Sequence, residues 1–258
     1  TLSILILLTL GTFTYAQLPT SYWQFNEGAG GTAGDTFGGA ADNGAIINGA
    51  VFGAPRTGTT GSSINLIPTN NASVRVTGTS WRGGGPIPQQ FSFSFWQASN
   101  AVNTTDSSFW VDGGPGNRAA QAHVPWSGNA IFFDTNGCCA GHQRLNFNGP
   151  GSINTKDLWN HFVFVKDGPN KRVYLNGALI GSKGGQSNLS AFNTLHIGSE
   201  RSVTNSYNGR IDDFAFFNRP LSAAEVNQIA NGSASFTSSG TGSNNFGNVR
   251  YLNSGAGT

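Results

Sequence analysis

The chain has 258 residues, of which 14 are basic and 12 are acidic, so its formal net charge at pH 7 is +2. The basic residues are spread along the sequence without a cluster, and neither nucleic acid nor an anionic membrane surface is an expected partner. With 37 glycines, 19 phenylalanines and no methionine, the composition is typical of many short strands joined by tight turns.

The N-terminal segment 1–16 (TLSILILLTLGTFTYA) is an apolar run that ends in small residues around Tyr15. This pattern predicts an export signal and therefore a secreted or cell-surface protein. The run is too short to cross a bilayer of about 30 Å, and no later stretch is long and uncharged enough, so no membrane span is expected. Because the sequence begins with Thr1 and not with Met, we expect it to be part of a longer, multidomain chain.

Alternation of apolar and polar residues with a period of two recurs along the chain and predicts β-strands. The clearest case is Phe91–Phe95, where three phenylalanines share one face. The regular spacing of these strands favours a sandwich or a barrel. Further strands are expected at Tyr22–Phe25, Ser63–Leu66, Ser73–Thr77, Ser108–Val111, Gln121–Val124, Ala130–Phe133, His161–Val165, Arg172–Leu175, Ala178–Ile180, Thr194–Ile197 and Ile211–Phe217.

One short helix is predicted near the C-terminus. Ser222 followed three residues later by Glu225 forms a capping-box pattern, and Gly232 ends the helix. The mature domain is therefore expected to span residues 18–232. Residues 233–258 are rich in Ser, Gly, Thr and Asn, which is typical of a linker or of the start of a further domain.

Four motifs carry a family resemblance: YWQFNEGAGGTAGDTFGG at 22–39, FSFSFW at 91–96, NHFVFVKDGPNKRVYLNGALI at 160–180 and GRIDDFAFFNRPLSAAEV at 209–226. In this order they resemble the laminin G-like domains of the concanavalin A-like lectin/glucanase superfamily, bacterial secreted type. The resemblance implies an all-β fold, a two-sheet antiparallel jelly-roll sandwich with one short C-terminal helix. Family members include carbohydrate-binding modules, adhesins and accessory domains of secreted enzymes, so the expected partner is a polysaccharide or glycan, or an extracellular protein.

Relatives of this fold often hold a structural Ca²⁺, which takes several oxygen ligands. The candidates that the resemblance implies are Glu27 and Asp35 near one end of the chain and Asp212 and Asp213 near the other. The alternative is that successive residues Asp212 and Asp213 point to opposite faces, so that only one of them joins a site and the other caps a loop or pairs with Arg210.

The adjacent cysteines Cys138 and Cys139 lie in the segment FFDTNGCCAGHQR. Export favours oxidation, and we predict a vicinal disulfide that stiffens a loop at the rim of the sandwich. Two reduced cysteines in a turn are the alternative. Metal ligation with His142 is disfavoured because the spacing lacks the paired pattern of zinc sites.

A sugar site requires aromatic rings for C–H faces and fixed polar groups for hydroxyls. His123, Trp126, Asp134 and Arg144 offer these groups on adjacent strands or loops, and Trp126 lies in the most loop-like context of the tryptophans. Trp81 is the second candidate for stacking on a ligand. The remaining tryptophans lie in strand-like stretches that are more often core: Trp23, Trp96, Trp110 and Trp159.

Catalysis is not expected. The chain has three glutamates, and none begins the Glu-x-Asp-x-Glu pattern that supplies paired carboxylates in related glycosidases. The segment Gln121-Ala122-His123 is similar to the Gln-x-His element of jelly-roll polysaccharide lyases, but their Arg- and Glu-rich strand is missing. We therefore predict a non-catalytic carbohydrate-binding domain, with a structural or adhesive protein-contacting domain as the alternative and a lyase as the third possibility.

Overall fold

The computed structural model describes residues 18–100, 102, 105–202, 205–234 and 236. The predicted export signal at 1–16 and most of the predicted linker, from residue 237 onward, lie outside the described residues. The described part contains sixteen strands and one α-helix. The strands are β1 (Ser21–Trp23), β2 (Thr32–Ala33), β3 (Gly44–Ile47), β4 (Val51–Gly53), β5 (Ser63–Leu66), β6 (Ser73–Val76), β7 (Gln90–Ser99), β8 (Thr105–Asp112), β9 (Arg118–Trp126), β10 (Ala130–Thr135), β11 (Arg144–Asn148), β12 (Asn160–Asp167), β13 (Asn170–Leu175), β14 (Ala178–Lys183), β15 (Leu195–Ile197) and β16 (Gly209–Phe217), and the helix is α1 (Ala223–Ala230).

The strands form two antiparallel sheets of eight strands each. The first sheet has the order β14-β13-β12-β7-β16-β5-β4, with β1 also paired to β16, and the second has the order β11-β10-β9-β8-β15-β6-β3-β2. The sheets pack face to face as a jelly-roll sandwich, which confirms the predicted fold class. No helix among the described residues is long and apolar enough to span a membrane.

The core between the sheets is rich in phenylalanine. Phe93 of the first sheet lies 4.3 Å from Phe109 of the second, measured between ring centroids, and Phe133 lies 5.3 Å from Phe164. All four side chains are fully buried. Each such ring contributes about 1.5–3 kcal/mol by leaving water, so the paired aromatic faces fix how the two sheets are stacked.

The outer face of the first sheet is covered in part by α1. Ser222 caps this helix and forms the predicted capping box with Glu225. Val226 of the helix packs with Val163 of β12 and with Phe236, which lies beyond the predicted domain boundary at Gly232. Phe236 is buried, so the packed domain includes this residue.

Candidate functional site

The outer face of the second sheet carries polar side chains because its strands alternate. In β9, Ala122 and Val124 point into the core, while Gln121 and His123 belong to the opposite face. The same alternation in β10 buries Phe133 in the core and places its neighbours on the outer face. The outer face is therefore formed by the strand residues whose side chains do not point into the core.

Strand register aligns six of these outer side chains into one line across six strands, which we name the polar row. Its members in order are Arg75, His196, Trp110, Gln121, Asp134 and Arg144. Neighbours in an antiparallel register lie about 4.5–5.5 Å apart. The polar row thus forms a continuous line across the strands, in which Arg75 and Arg144 at its two ends are partly exposed and the four residues between them are buried.

Asp134 is fully buried and anchors one end of the polar row. It accepts hydrogen bonds from Nε and Nη2 of Arg144 at 2.6 and 2.7 Å, and from Nη1 of Arg118 at 2.7 Å. These bonds raise the pKa of Arg144 above its usual value. One carboxylate thus holds two guanidinium groups in fixed positions, and the three groups together keep one positive charge.

Both guanidinium groups lie on aromatic rings. Arg144 lies 4.4 Å from the ring centre of Phe132, and Arg118 lies 4.7 Å from that of Trp110. This cation–π packing holds the flat faces of the arginines against the sheet. Their positions therefore depend on the rings as well as on Asp134.

His123 lies beside the polar row in a buried pocket. Its Nδ1 donates to the carbonyl oxygen of Asp106 at 2.9 Å, which leaves Nε2 as the acceptor nitrogen, 3.9 Å from Oε1 of Glu200. Its ring packs against Trp126 at 4.3 Å between centroids. Burial lowers the pKa of His123 to about 4. The imidazole is therefore neutral at pH 7, and it acts there as a hydrogen-bonding group, not as a charge.

A cavity of about 400 Å³ opens beside the middle of the polar row. It is lined by Trp110, Gly116, Glu200, Arg201 and Ser202. Gln121 holds the carboxylate of Glu200 through a hydrogen bond of 3.1 Å. The cavity therefore combines an indole ring with a carboxylate, a guanidinium and a hydroxyl group, which is the chemistry that sugar rings and their substituents require.

Three buried polar atoms of the polar row have no hydrogen-bond partner within the described structure: Oε1 of Gln121, Nδ1 of His196 and Nε of Arg75. An unsatisfied buried polar atom costs about 1–3 kcal/mol. Native proteins leave few such atoms without a protein group, a water molecule or a ligand.

Four of the five predicted ligand-binding residues lie together on this face: His123, Trp126, Asp134 and Arg144. The prediction for Trp81 is wrong. Its side chain is fully buried, its Nε1 donates to the carbonyl oxygen of Asn193 at 3.0 Å, and its ring packs against Phe216. A 3-10 turn, Ser80–Arg82, directs the indole into the core, so Trp81 cannot stack on a ligand.

Sequence reasoning missed Trp110, Arg118 and Glu200. Trp110 was assigned to the core because it lies in a strand, yet its strand neighbours Phe109 and Val111 are the core residues. Alternation within β8 could have identified it. Glu200 lies outside the strands, and only the three-dimensional structure shows that it reaches Gln121.

The two cysteines lie in the β10–β11 loop at the rim, as predicted, and both are free thiols in this structure, so the vicinal disulfide stays a prediction. The peptide bond between them keeps their Cα atoms about 3.8 Å apart, which is below the usual disulfide span of about 4.4–6.8 Å. Burial raises the pKa of Cys138. The alternative of two reduced cysteines describes this structure.

The four predicted calcium ligands do not form one cluster. Glu27 is exposed and accepts from the backbone N–H of Gly34. Asp213 accepts from the hydroxyl of Tyr22 at 2.5 Å and from Arg56 at 3.1 Å. Within the described residues, no three His, Cys, Asp or Glu side chains lie close enough to hold a metal ion together. The predicted grouping is therefore wrong, because Arg56 and Tyr22 already satisfy one of its carboxylates.

Asp35 instead lies next to Asp42. A β-carbon on Gly38 would collide with Oδ2 of both carboxylates, so the two oxygens flank the space that this glycine leaves open. Oδ2 of Asp35 is buried without a hydrogen-bond partner in the described structure. Burial, together with the charge of Asp35, raises the pKa of Asp42, although a hydrogen bond from Ser80 opposes this shift. Of the four predicted ligands, Asp35 thus lies beside another carboxylate, that of Asp42, which the sequence did not predict, and paired carboxylate oxygens suit a hard cation.

Comparison with known proteins agrees with the jelly-roll architecture. The sequence profile of a laminin G-like family, described as the concanavalin A-like lectin/glucanases superfamily, matches residues 68–227. The chain belongs to this superfamily. No curated protein matches the sequence of this chain.

Several solved structures share the fold. Domain 4 of AbnA, a GH43 extracellular arabinanase from Geobacillus stearothermophilus, in complex with arabinotriose, has a TM-score of 0.59 at 17% identity, over 84% of this chain and 100% of that one. The binding domain of botulinum neurotoxin DC, in complex with rat synaptotagmin II, has a TM-score of 0.59 at 17% identity, over 82% of this chain and 51% of that one. Trypanosoma rangeli sialidase in complex with sialic acid has a TM-score of 0.60 at 12% identity, over 81% of this chain and 32% of that one.

At these identities the likeness shows the fold alone. The chain matches the full length of the arabinanase domain but spans about half of the neurotoxin domain and a third of the sialidase. The function of this chain must therefore be inferred from its own residues, beginning with those of the polar row.

Removing the carboxylate of Asp134 is expected to destabilise the domain. Asp134→Ala leaves two neighbouring guanidinium groups without their shared counter-charge, at a cost of about 3 kcal/mol. Urea denaturation of the variant and the wild type measures the loss in the free energy of unfolding. The control is Asp167→Ala, which breaks the Arg172 pair, whose two side chains are each 30% exposed, and is expected to cost less than about 1 kcal/mol. Equal losses in both variants would contradict the anchoring role of Asp134.

The pKa of His123 predicts a pH-dependent contribution to stability. Because the folded-state pKa of about 4 lies below the ordinary histidine pKa of about 6.5, the unfolded chain binds more protons between these two values. The contribution is present above pH 6.5 and is lost as the pH falls toward 4. His123→Asn cannot titrate, so its stability is expected to fall less than that of the wild type between pH 7 and 4.5 in urea unfolding. If the stability of the wild type and of His123→Asn fell in parallel with pH, the pKa of His123 would not be lowered in the folded state.

Proposed function

We propose that this protein is a secreted, non-catalytic carbohydrate-binding domain whose ligand lies along the polar row. The observation that carries the proposal is the cavity beside the polar row, which combines the indole of Trp110 with the carboxylate of Glu200 and the guanidinium of Arg201. Sugar hydroxyls would bond to the polar groups of this cavity, and the partly exposed ring of Trp126 would pack against C–H faces. Such a domain would attach a secreted enzyme or a cell surface to a polysaccharide.

The structural neighbours support this proposal by analogy. The arabinanase domain was solved with arabinotriose and the sialidase with sialic acid. Secretion is part of the same proposal and is supported by the apolar segment 1–16. Because the neighbours share the fold alone, the analogy ranks below the geometry of the polar row.

The environment of His123 favours binding over catalysis. A general base works best with a pKa near the working pH, whereas burial lowers the pKa of His123 to about 4. Its side chain is also only 3% exposed, and Trp126 packs against it. Gln121 likewise holds Glu200 within the sheet surface. These groups are therefore proposed to orient a bound sugar and not to transfer protons.

A protein-contacting role is the second candidate, and the neurotoxin domain in complex with synaptotagmin II favours it. The two functions differ in which residues they need. Protein binding at a distant surface would not depend on Trp126, whereas a sugar site along the polar row does. A lyase would instead release unsaturated sugars from uronate polymers, which absorb ultraviolet light.

Trp126→Ala is expected to weaken glycan binding at least tenfold, or about 1.4 kcal/mol, because it removes the partly exposed ring that packs against His123 beside the polar row. Affinity electrophoresis against a panel of polysaccharides, followed by calorimetry on those that bind, measures the loss. The matched control is Trp159→Ala, which removes another partly exposed tryptophan that packs under Arg210. Unchanged binding in Trp126→Ala, or an equal loss in the control, would refute this placement.

We also propose that Asp35 and Asp42 hold a structural Ca²⁺. The two carboxylates would supply oxygen ligands in the space beside Gly38, and a bound cation would satisfy Oδ2 of Asp35, which lacks a partner in the described structure. The cation would also lower the repulsion between the two charges. It would therefore stabilise the turn that leads into β3.

Calcium is expected to raise the melting temperature of chelator-treated protein, since a ligand at 100 times its Kd stabilises the folded state by about 2.7 kcal/mol. The rise is expected to disappear in Asp35→Asn. Glu27→Gln, an exposed carboxylate on the same loop, is the control and is expected to keep the rise. If chelator and calcium leave the wild-type melting temperature unchanged, the calcium proposal fails.

A further inference from the structure

The polar row and its rim carry more basic than acidic groups. The described side chains that contribute charge here include five cations: Arg75, Arg118, Arg144, Lys183 and Arg201. Three carboxylates face the same surface: Asp112, Asp134 and Glu200. Without these eight residues, the chain's 14 basic and 12 acidic residues would be balanced at nine of each. The excess positive charge of the sequence is therefore concentrated on this surface.

The three carboxylates are all engaged by donors of the sheet. Asp134 is fully buried and accepts three bonds from two arginines. Asp112 accepts from Nε1 of Trp110 at 2.8 Å and lies 3.3 Å from Nε2 of His196. Glu200 accepts from Gln121. Negative charge is thus held against the sheet, while the excess positive charge remains for a ligand.

Two of these cations lie in or next to the cavity. Arg118 lies flat on Trp110, whose ring lines the cavity, at 4.7 Å from the ring centre. Arg201 is exposed and lines the same cavity. The amide oxygen of Asn117 accepts from both Nε and Nη1 of Arg201 at 2.7 Å, in the orientation that satisfies this amide. The guanidinium of Arg201 is therefore oriented by an amide at the cavity, and that of Arg118 by the indole that lines it.

We infer that the polar row takes an acidic glycan, whose sugars carry carboxylate or sulfate groups, and that one such group binds Arg201 in the cavity that Trp110 lines. Guanidinium groups bind carboxylate and sulfate oxygens through paired, charge-assisted hydrogen bonds. Further acidic sugars along the chain would meet Arg144 and Lys183 toward the β10–β11 hairpin. A neutral polymer would gain nothing from this excess charge. The inference rests on the proposed carbohydrate-binding function and specifies its ligand class.

The test compares polymers by calorimetry at low and high salt. Polygalacturonate and alginate supply carboxylates, chondroitin sulfate and heparin supply sulfates, and arabinan and xylan are neutral. Acidic polymers of at least one kind are expected to bind at least tenfold more tightly than the neutral ones, and to weaken as salt screens the charges. The carboxylate and sulfate arms identify which group is recognised.

Arg201→Gln is the decisive variant, because its exposed side chain is not part of the Asp134 anchor and its loss is not expected to affect folding. It is expected to weaken binding of the acidic polymer three- to tenfold, roughly the range for one rim charge. Arg172→Gln removes a partly exposed arginine of the first sheet and is the matched control, with no change expected. Circular dichroism of both variants confirms that they are folded.

The outcomes separate the two proposals. Salt-insensitive binding of neutral polymers that depends on Trp126 would overturn the acidic-glycan inference and leave the carbohydrate-binding function standing. An affinity of Arg201→Gln equal to that of the wild type would also overturn the inference. Failure of every polymer to bind the wild-type protein would overturn both.

Discussion

The two-residue period of the strands, locked by aromatic packing between the sheets, is the constraint on which the rest of the structure depends. Phe93 and Phe109 meet across the sandwich at 4.3 Å between ring centroids, and their burial leaves no freedom to shift either strand by one residue. Such a shift would move every apolar side chain of that strand to the solvent face. The outer residues are therefore fixed in register by the core. Trp110 and Gln121 lie opposite each other because Phe109 and Ala122 do.

Charge compensation is the second constraint, and it joins the two sheets. Lys171 of the first sheet is buried and donates through Nζ to the carbonyl oxygens of Phe133 and Gln143 of the second, at 2.9 and 2.7 Å. Burial lowers its pKa to about 6, although the charge of Asp134 opposes this shift. Most of the lysine is therefore neutral at pH 7. Asp134 must then take its counter-charges from Arg118 and Arg144 on the outer face, which explains why two arginines are fixed there.

The sequence predicts what local pattern determines and misses what distant contacts determine. The capping box of Ser222 and Glu225 is a four-residue pattern, and the structure confirms it. Trp81 and Trp126 both occur near turn-forming residues, but Trp81 is directed into the core by packing against Phe216, more than a hundred residues away. The prediction that four acidic residues form one calcium site was wrong for the same reason. Their partners, among them Arg56, are distant in sequence, and no local pattern predicts that Arg56 reaches Asp213.

The two sheets differ in what covers their outer faces, and this difference bears on the proposed ligand surface. On the first sheet, α1 and Phe236 pack over Val163 and its neighbours, and that face becomes a second small core. On the second sheet, no α-helix among the described residues packs over the polar row, and its middle residues instead contact Arg118 and Glu200. The groups of this face that stay partly exposed are Arg75, Arg144 and Trp126. Because an acidic sugar needs exposed guanidinium groups and a ring to pack against, the proposed ligand fits this sheet better than the first.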